Sequence, residues 1–147
     1  MTLIARLEDE LGDAMRARDR ERAGALRLTL AALRAAEKEL QRPLAENEEL
    51  QVLQRERKRR VEASEAFRSA GREEQATAEE RELEVIEEFM PAPIEEEELE
   101  RIVDDAIAET GATSLRDLGR VMADVMPQVA GRADGSEVSR LVREKLA

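Results

Sequence analysis

The chain has 147 residues, 40% of them charged, and a net charge of −11. It contains neither cysteine nor histidine, which excludes disulfides, thiolate metal sites, cysteine nucleophiles and the commonest general base and near-neutral pH switch. The acidic total argues against indiscriminate nucleic-acid affinity, because phosphate binding is driven by neutralising cations, so only a local basic patch could support an RNA role.

Hydrophobic residues make up 41% of the chain but lean on alanine, and the only aromatics are Phe67 and Phe89. Abundant Ala, Glu, Arg and Leu at helical periodicity predict an all-α fold. Thr2 is placed to cap a first helix with Leu3, Leu7, Leu11 and Met15 on one face. Asp19 is placed to cap the next, about Arg20 to Gln41, where Ala23, Leu26, Leu30, Leu33 and Leu40 form a stripe. Leu28, Ala31, Ala32 and Ala35 form a second stripe on that helix. A helix apolar on two faces is expected to be sandwiched, so this one is predicted to lie centrally.

Arg42-Pro43-Leu44 interrupts the pattern, since the residue before proline avoids helix. Asn47 is the expected cap of a long third helix ending near Ala70-Gly71, with Leu50, Leu53, Val61 and Phe67 inward. A fourth helix follows from about Arg72 to Met90, carrying Leu83, Ile86, Phe89 and Met90; its polar beginning is expected to be loosely held. Pro91-Ala92-Pro93 is the clearest punctuation in the chain. The organisation expected is an N-terminal four-helix unit over residues 1–90, a Pro-rich linker over 91–94, and a three-helix domain over 95–147.

Within that last domain, Glu95 to Glu98 place negative charge at a helix N-terminus, and Leu99, Ile102, Val103, Ala106 and Ile107 face a core. Gly111 suits its C-terminal cap. Ser114 with Asp117 makes a capping box for a helix striped by Leu115, Leu118, Val121, Met122, Val125 and Met126, which Pro127 is expected to close. Gly131-Arg132-Ala133-Asp134-Gly135 reads as a turn whose glycines take positive φ. Asp134 then starts the last helix, with Val138, Leu141, Val142 and Leu146 inward.

Gly119-x-Val121-Met122, Met126-Pro127 and the Gly131–Gly135 turn, followed by the Val138/Leu141/Leu146 helix, together resemble the signature of the YqeY family. The resemblance runs the whole length of the chain. The last third is also similar to the small tail domain of the B subunit of bacterial Asp-tRNA/Glu-tRNA amidotransferase. That tail contacts the tRNA elbow, so the resemblance implies a backbone-contacting, shape-reading mode on tRNA. It links the chain to tRNA-dependent amidation, a carbon–nitrogen ligase reaction with glutamine as amido donor. The partners it implies are tRNA and an amidotransferase or aminoacyl-tRNA synthetase.

A catalytic site is hard to assemble from these residues. The serines have no histidine to activate them, and the carboxylate pairs Asp104-Asp105 and Glu87-Glu88 read as solvated helix faces. No fixed ligand spacing supports a metal site, and the Gly131–Gly135 turn lacks the glycine spacing and lysine of a phosphate loop. The chain is therefore expected to be non-catalytic by itself, with no metal and no cofactor.

RNA binding has a better basis. Past Gly111, Arg116, Arg120, Arg132, Arg140, Arg143 and Lys145 slightly outnumber the acids, whereas over residues 91–110 Arg101 alone faces eight. These six are the candidate phosphate contacts, and without Tyr or Trp base stacking is limited, which favours shape over sequence readout. The opposing reading is that they pair with neighbouring acids. A second basic cluster, Arg55, Lys58, Arg59 and Arg60 with Arg57, either extends an RNA track or pairs with Glu79, Glu80, Glu82 and Glu84 on the fourth helix. A different class stays open beside these: a protein–protein adaptor working through the N-terminal helices, without direct RNA binding.

Overall fold

The computed structural model describes residues 1–147, all α-helix apart from caps, turns and one 3-10 turn, as expected. The helices are α1 (Leu3–Arg16), α2 (Arg20–Leu40), α3 (Glu46–Ser69), α4 (Glu73–Glu87), α5 (Glu96–Thr110), α6 (Leu118–Val129) and α7 (Gly135–Leu146). The 3-10 turn, Leu115–Asp117, leads into α6. The chain divides into two compact units, Met1–Met90 and Pro91–Ala147, each with its own core.

In the first unit Thr2 caps α1 by accepting the Ala5 N–H at 3.1 Å, and Asp19 caps α2 by accepting the Arg22 N–H at 3.1 Å. Both satisfy donors that a helix start otherwise leaves orphaned. Leu7, Leu26, Leu30, Leu33, Leu53 and Ile86 form the fully buried centre. Each contributes roughly 2 kcal/mol of apolar burial. On α1 the inward position near the end is Ala14 rather than Met15, which is exposed. Helix α2 touches α1, α3 and α4, so it is central. Its second stripe is nevertheless open: Leu28, Ala31 and Ala35 are exposed and only Ala32 is half-buried.

The start of α3 differs from expectation. Ala45, not Asn47, is the N-cap residue, and Glu48 accepts the Ala45 N–H at 2.9 Å. Arg42 grips the same carboxylate at 2.7 and 2.9 Å. Asn47 alone looked like the best capping side chain, but a doubly held glutamate one residue on serves better. Its bonds to Arg42 and to the Ala45 amide hold the Glu48 carboxyl at a pKa of about 2, well below the usual carboxylate range. The charged form is the one the fold favours. Its contribution is therefore complete above the ordinary glutamate pKa and fades as pH falls towards the folded value. The Ala45 amide shift, followed by NMR, is expected to titrate with a midpoint near that low value; a midpoint near that of free glutamate would contradict this cap.

Two further contacts tie helices together. Glu49 is buried and accepts the Leu3 N–H at 3.2 Å, so a carboxylate of α3 faces the positive end of α1. Burial pushes its pKa up despite that bond. The polar beginning of α4, expected to be loose, is fastened by the fully buried Ala76 and by Arg68, which pairs with Glu80 and with Glu73.

In the second unit Leu99, Val103, Val121, Val125, Val129 and Val138 are buried almost completely and make the core of α5, α6 and α7. Gly111 ends α5 in the left-handed region at φ 68°, as its position required. Ser114 and Asp117 form the reciprocal cap of the 3-10 turn. Leu115 is exposed, because it belongs to that turn and not to the α6 stripe. Helix α6 runs through Pro127 to Val129. Proline costs one backbone bond there, but it falls in the last turn, where fully buried Val129 holds the chain in place. Of the two turn glycines only Gly131 takes positive φ, at 75°; Gly135 is already the first residue of α7. Asp134 caps α7 by accepting from the Ser136 N–H at 3.4 Å and the Ser136 hydroxyl at 2.8 Å.

Candidate nucleic-acid interface

The six cations of the second unit have different surroundings. Arg120, on the first turn of α6, donates to Asp117 at 2.6 Å and to the Thr110 carbonyl at 3.0 Å. The Thr113 amide, together with this guanidinium, holds the Asp117 carboxyl below its usual range. Arg140 pairs with Glu144 at 3.0 Å one helical turn on, both well exposed. Lys145 reaches Asp104 on α5 at 2.8 Å, a bond that raises its pKa. Arg143 donates only to the Ser139 hydroxyl, at 3.2 Å. Arg116 is exposed in the 3-10 turn with no carboxylate in reach, so it and Arg143 are the two cations of the set without an acidic partner.

Arg132 has an architectural position that periodicity and charge counting do not reveal. It leaves the turn after α6, and its Nη atoms meet Glu98 on α5 at 3.2 and 3.1 Å. Its Nε donates to the Ala92 carbonyl at 3.2 Å, and its own carbonyl accepts the Ile94 N–H at 2.9 Å. The segment 91–94 is thereby stitched to the Gly131–Gly135 turn, and Glu98 is held below the usual glutamate pKa by the guanidinium. A fork of this shape is specific to arginine. Arg132→Ala is expected to accelerate amide exchange at Ile94 several-fold while leaving α1–α4 unchanged; unaltered exchange would show that the fork holds nothing.

The basic cluster of α3 is largely neutralised. Arg60 is buried and lies 3.1 Å from Glu56, 3.0 Å from Glu82 and 3.8 Å from Glu79. Arg59 lies 3.5 Å from Glu56 and Arg57 lies 3.6 Å from Glu87. Arg55 and Lys58 are exposed on the same helix. Burial, together with the neighbouring Glu79, pushes the Glu82 carboxyl up in spite of Arg60. Opposite charge on α4 therefore takes up much of the cluster, and Arg60 is part of the helix interface. No cluster of three or more Asp or Glu residues is arranged to hold a metal ion.

Comparison with known proteins gives the chain its setting. The E subunit of the glutamyl-tRNA(Gln) amidotransferase of Thermococcus gammatolerans is 35% identical over 88 residues. That stretch is 57% of this chain but only 14% of the relative, so the chain corresponds to a small part of that longer protein. No helix is long and apolar enough to cross a membrane. The Yqey-like protein family matches residues 4–146, from the first turn of α1 to the last residue of α7, and this chain belongs to it.

Proposed function

We propose that this protein is a non-catalytic, tRNA-binding accessory module working alongside tRNA-dependent amidation. The observation that carries the reading is the pair Arg116 and Arg143, exposed and without carboxylate partners in the stretch past Gly111 where cations outnumber acids. Both can offer full charge to a phosphate. Arg120 is tied to half-buried Asp117 and to the Thr110 carbonyl, whereas Arg140 is held only by its exposed pair with Glu144 one turn on. An exposed pair of that kind is worth about 0–1 kcal/mol, so a phosphate can replace Glu144 at small cost. Lys145 and Arg132 contribute through the fold, each already holding an acid of α5.

Relationship to a protein named for its action on glutamyl-tRNA supports tRNA as the RNA class. An amidotransferase or aminoacyl-tRNA synthetase is the protein partner in this reading. The chain would present a rigid helical surface to backbone phosphates and recognise shape, since it has no Tyr or Trp to stack on bases. Titrating unmodified tRNA into the isotopically labelled protein tests this. Amide shifts are expected to concentrate between Thr113 and Lys145, with Arg116 and Arg143 among them. Shifts confined to α1–α4, or none at low salt, would overturn the proposal.

A further inference from the structure

Helix α2 has one apolar face more than its own unit uses. Gly24, Leu28, Ala31 and Ala35 recur at alternating spacings of four and three, the heptad pattern of a coiled-coil seam. Leu28 is 47% exposed, and Ala31 and Ala35 are exposed beside it. This seam borders an open groove between α2 and α4, floored by Ala25 and walled by Ala78 and Val85. Acids also line it, but Glu21 is paired with Arg81, Glu82 with Arg60, and Asp19 caps α2, so only Glu84 stands against the arginines Arg20 and Arg27 there. A separate groove lies between the second half of α2 and α3, where Ala32, Ala35, Ala36 and Val52 are flanked by Glu39, Arg55, Glu56 and Arg59. Small side chains along the seam let a second helix approach to about 8 Å.

Charge beside the seam narrows the occupant. Arg20, Arg27 and Arg34 stand seven residues apart, all on the same flank. Arg34 has an exposed pairing with Glu8 at 2.6 Å, while Arg20 and Arg27 have no carboxylate in reach. Flanking charges of this kind set the partner in a helix pair. A second copy does not answer them. Paired antiparallel, the arginine row would meet itself; paired parallel, it would meet Ala25, Ala32 and a single acid, Glu39. A helix with apolar residues on one face and glutamates or aspartates along one flank answers both the seam and the row.

We infer that the exposed face of α2 is a docking site for an amphipathic helix of a partner protein with an acidic flank. The site lies in the N-terminal unit and is independent of RNA binding by the second. The probe is a fluorescein-labelled synthetic helix matched to α2 in length, with leucine and alanine on one face and glutamate along the flank. Its control has lysine for every glutamate. Against the full chain, the acidic peptide is expected to bind at least about tenfold more tightly than the control. Leu28→Asp should weaken it by a similar factor. Arg20→Glu with Arg27→Glu should reverse the preference towards the lysine peptide. Leu28 and Ala31 are exposed, so these variants should fold, as circular dichroism will show; Ala31→Glu serves if Leu28→Asp does not. No binding, equal binding of the two peptides, amide shifts away from α2, or self-association abolished by Leu28→Asp would each overturn the inference, the last by assigning the face to a second copy.

Discussion

Replacing Arg60 with leucine is expected to cost the first unit about 3 kcal/mol, because breaking a buried ion pair strands the remaining charges. Arg60 has only 11% of its side chain exposed, and Glu56, with 9%, is its nearest carboxylate on α3. Glu79 and Glu82 approach from α4 with about a quarter of their surface exposed. Without the guanidinium, three carboxylates face one another across the interface of α3 and α4. Burial already pushes Glu82 upwards with Arg60 present, so the imbalance grows when Arg60 is removed. Adding Glu56→Leu to Arg60→Leu should recover part of the loss, since it removes the most buried of the three stranded carboxylates while Glu79 and Glu82 remain. Urea denaturation followed by circular dichroism measures both. A loss of less than about 1 kcal/mol in the single variant would place the cluster among surface ion pairs.

The second large effect is expected in the other unit. Leu99 of α5 is 1% exposed and packs in the core shared by α5, α6 and α7. Truncating a buried leucine to alanine removes roughly 2–5 kcal/mol. Folded domains hold only about 0.05–0.15 kcal/mol per residue, so a unit as small as Pro91–Ala147 has little margin. Leu99→Ala should therefore unfold that unit at moderate temperature while residues 1–90 keep their own core. Residue-resolved amide exchange reads this as loss of protection in α5–α7 alone. Simultaneous loss in α2 and α3 would mean that the two cores fold as one cooperative body.

Much of this architecture was legible in the sequence because it is written locally. Caps at Thr2, Asp19, Ser114 and Asp134 pair a side-chain oxygen with an amide two or three residues on, and such spacing can be read directly. Helical periodicity likewise marked Leu26, Leu30 and Leu33, and Val121 and Val125, all buried as their stripes implied. Asn47 misled because capping preference is a weak prior beside a glutamate fixed by both an amide and Arg42. Pro127 misled because buried Val129 outweighs one missing backbone bond. The candidate interface was less legible. Charge counting found all six cations, but it could not show that Arg132 reaches back to Ala92 and Glu98, or that Lys145 finds Asp104. Those partners lie tens of positions away, and an acid-rich chain offers every arginine many candidates. The open stripe on α2 was visible as an apolar pattern; that nothing in its own unit covers it emerged only in three dimensions.

The most direct measurement of the RNA reading is tRNA binding across a salt series, comparing the protein with its Arg116→Glu/Arg143→Glu variant. Neither residue holds a carboxylate, so the variant should fold as the parent does. Fluorescence anisotropy should give binding that falls steeply as salt rises and that prefers folded tRNA to a plain RNA duplex. Reversing the two charges should weaken it by at least about tenfold and flatten the salt slope by roughly two. Binding that is absent at low salt, or equally strong in the variant, would contradict the assignment of tRNA to this surface.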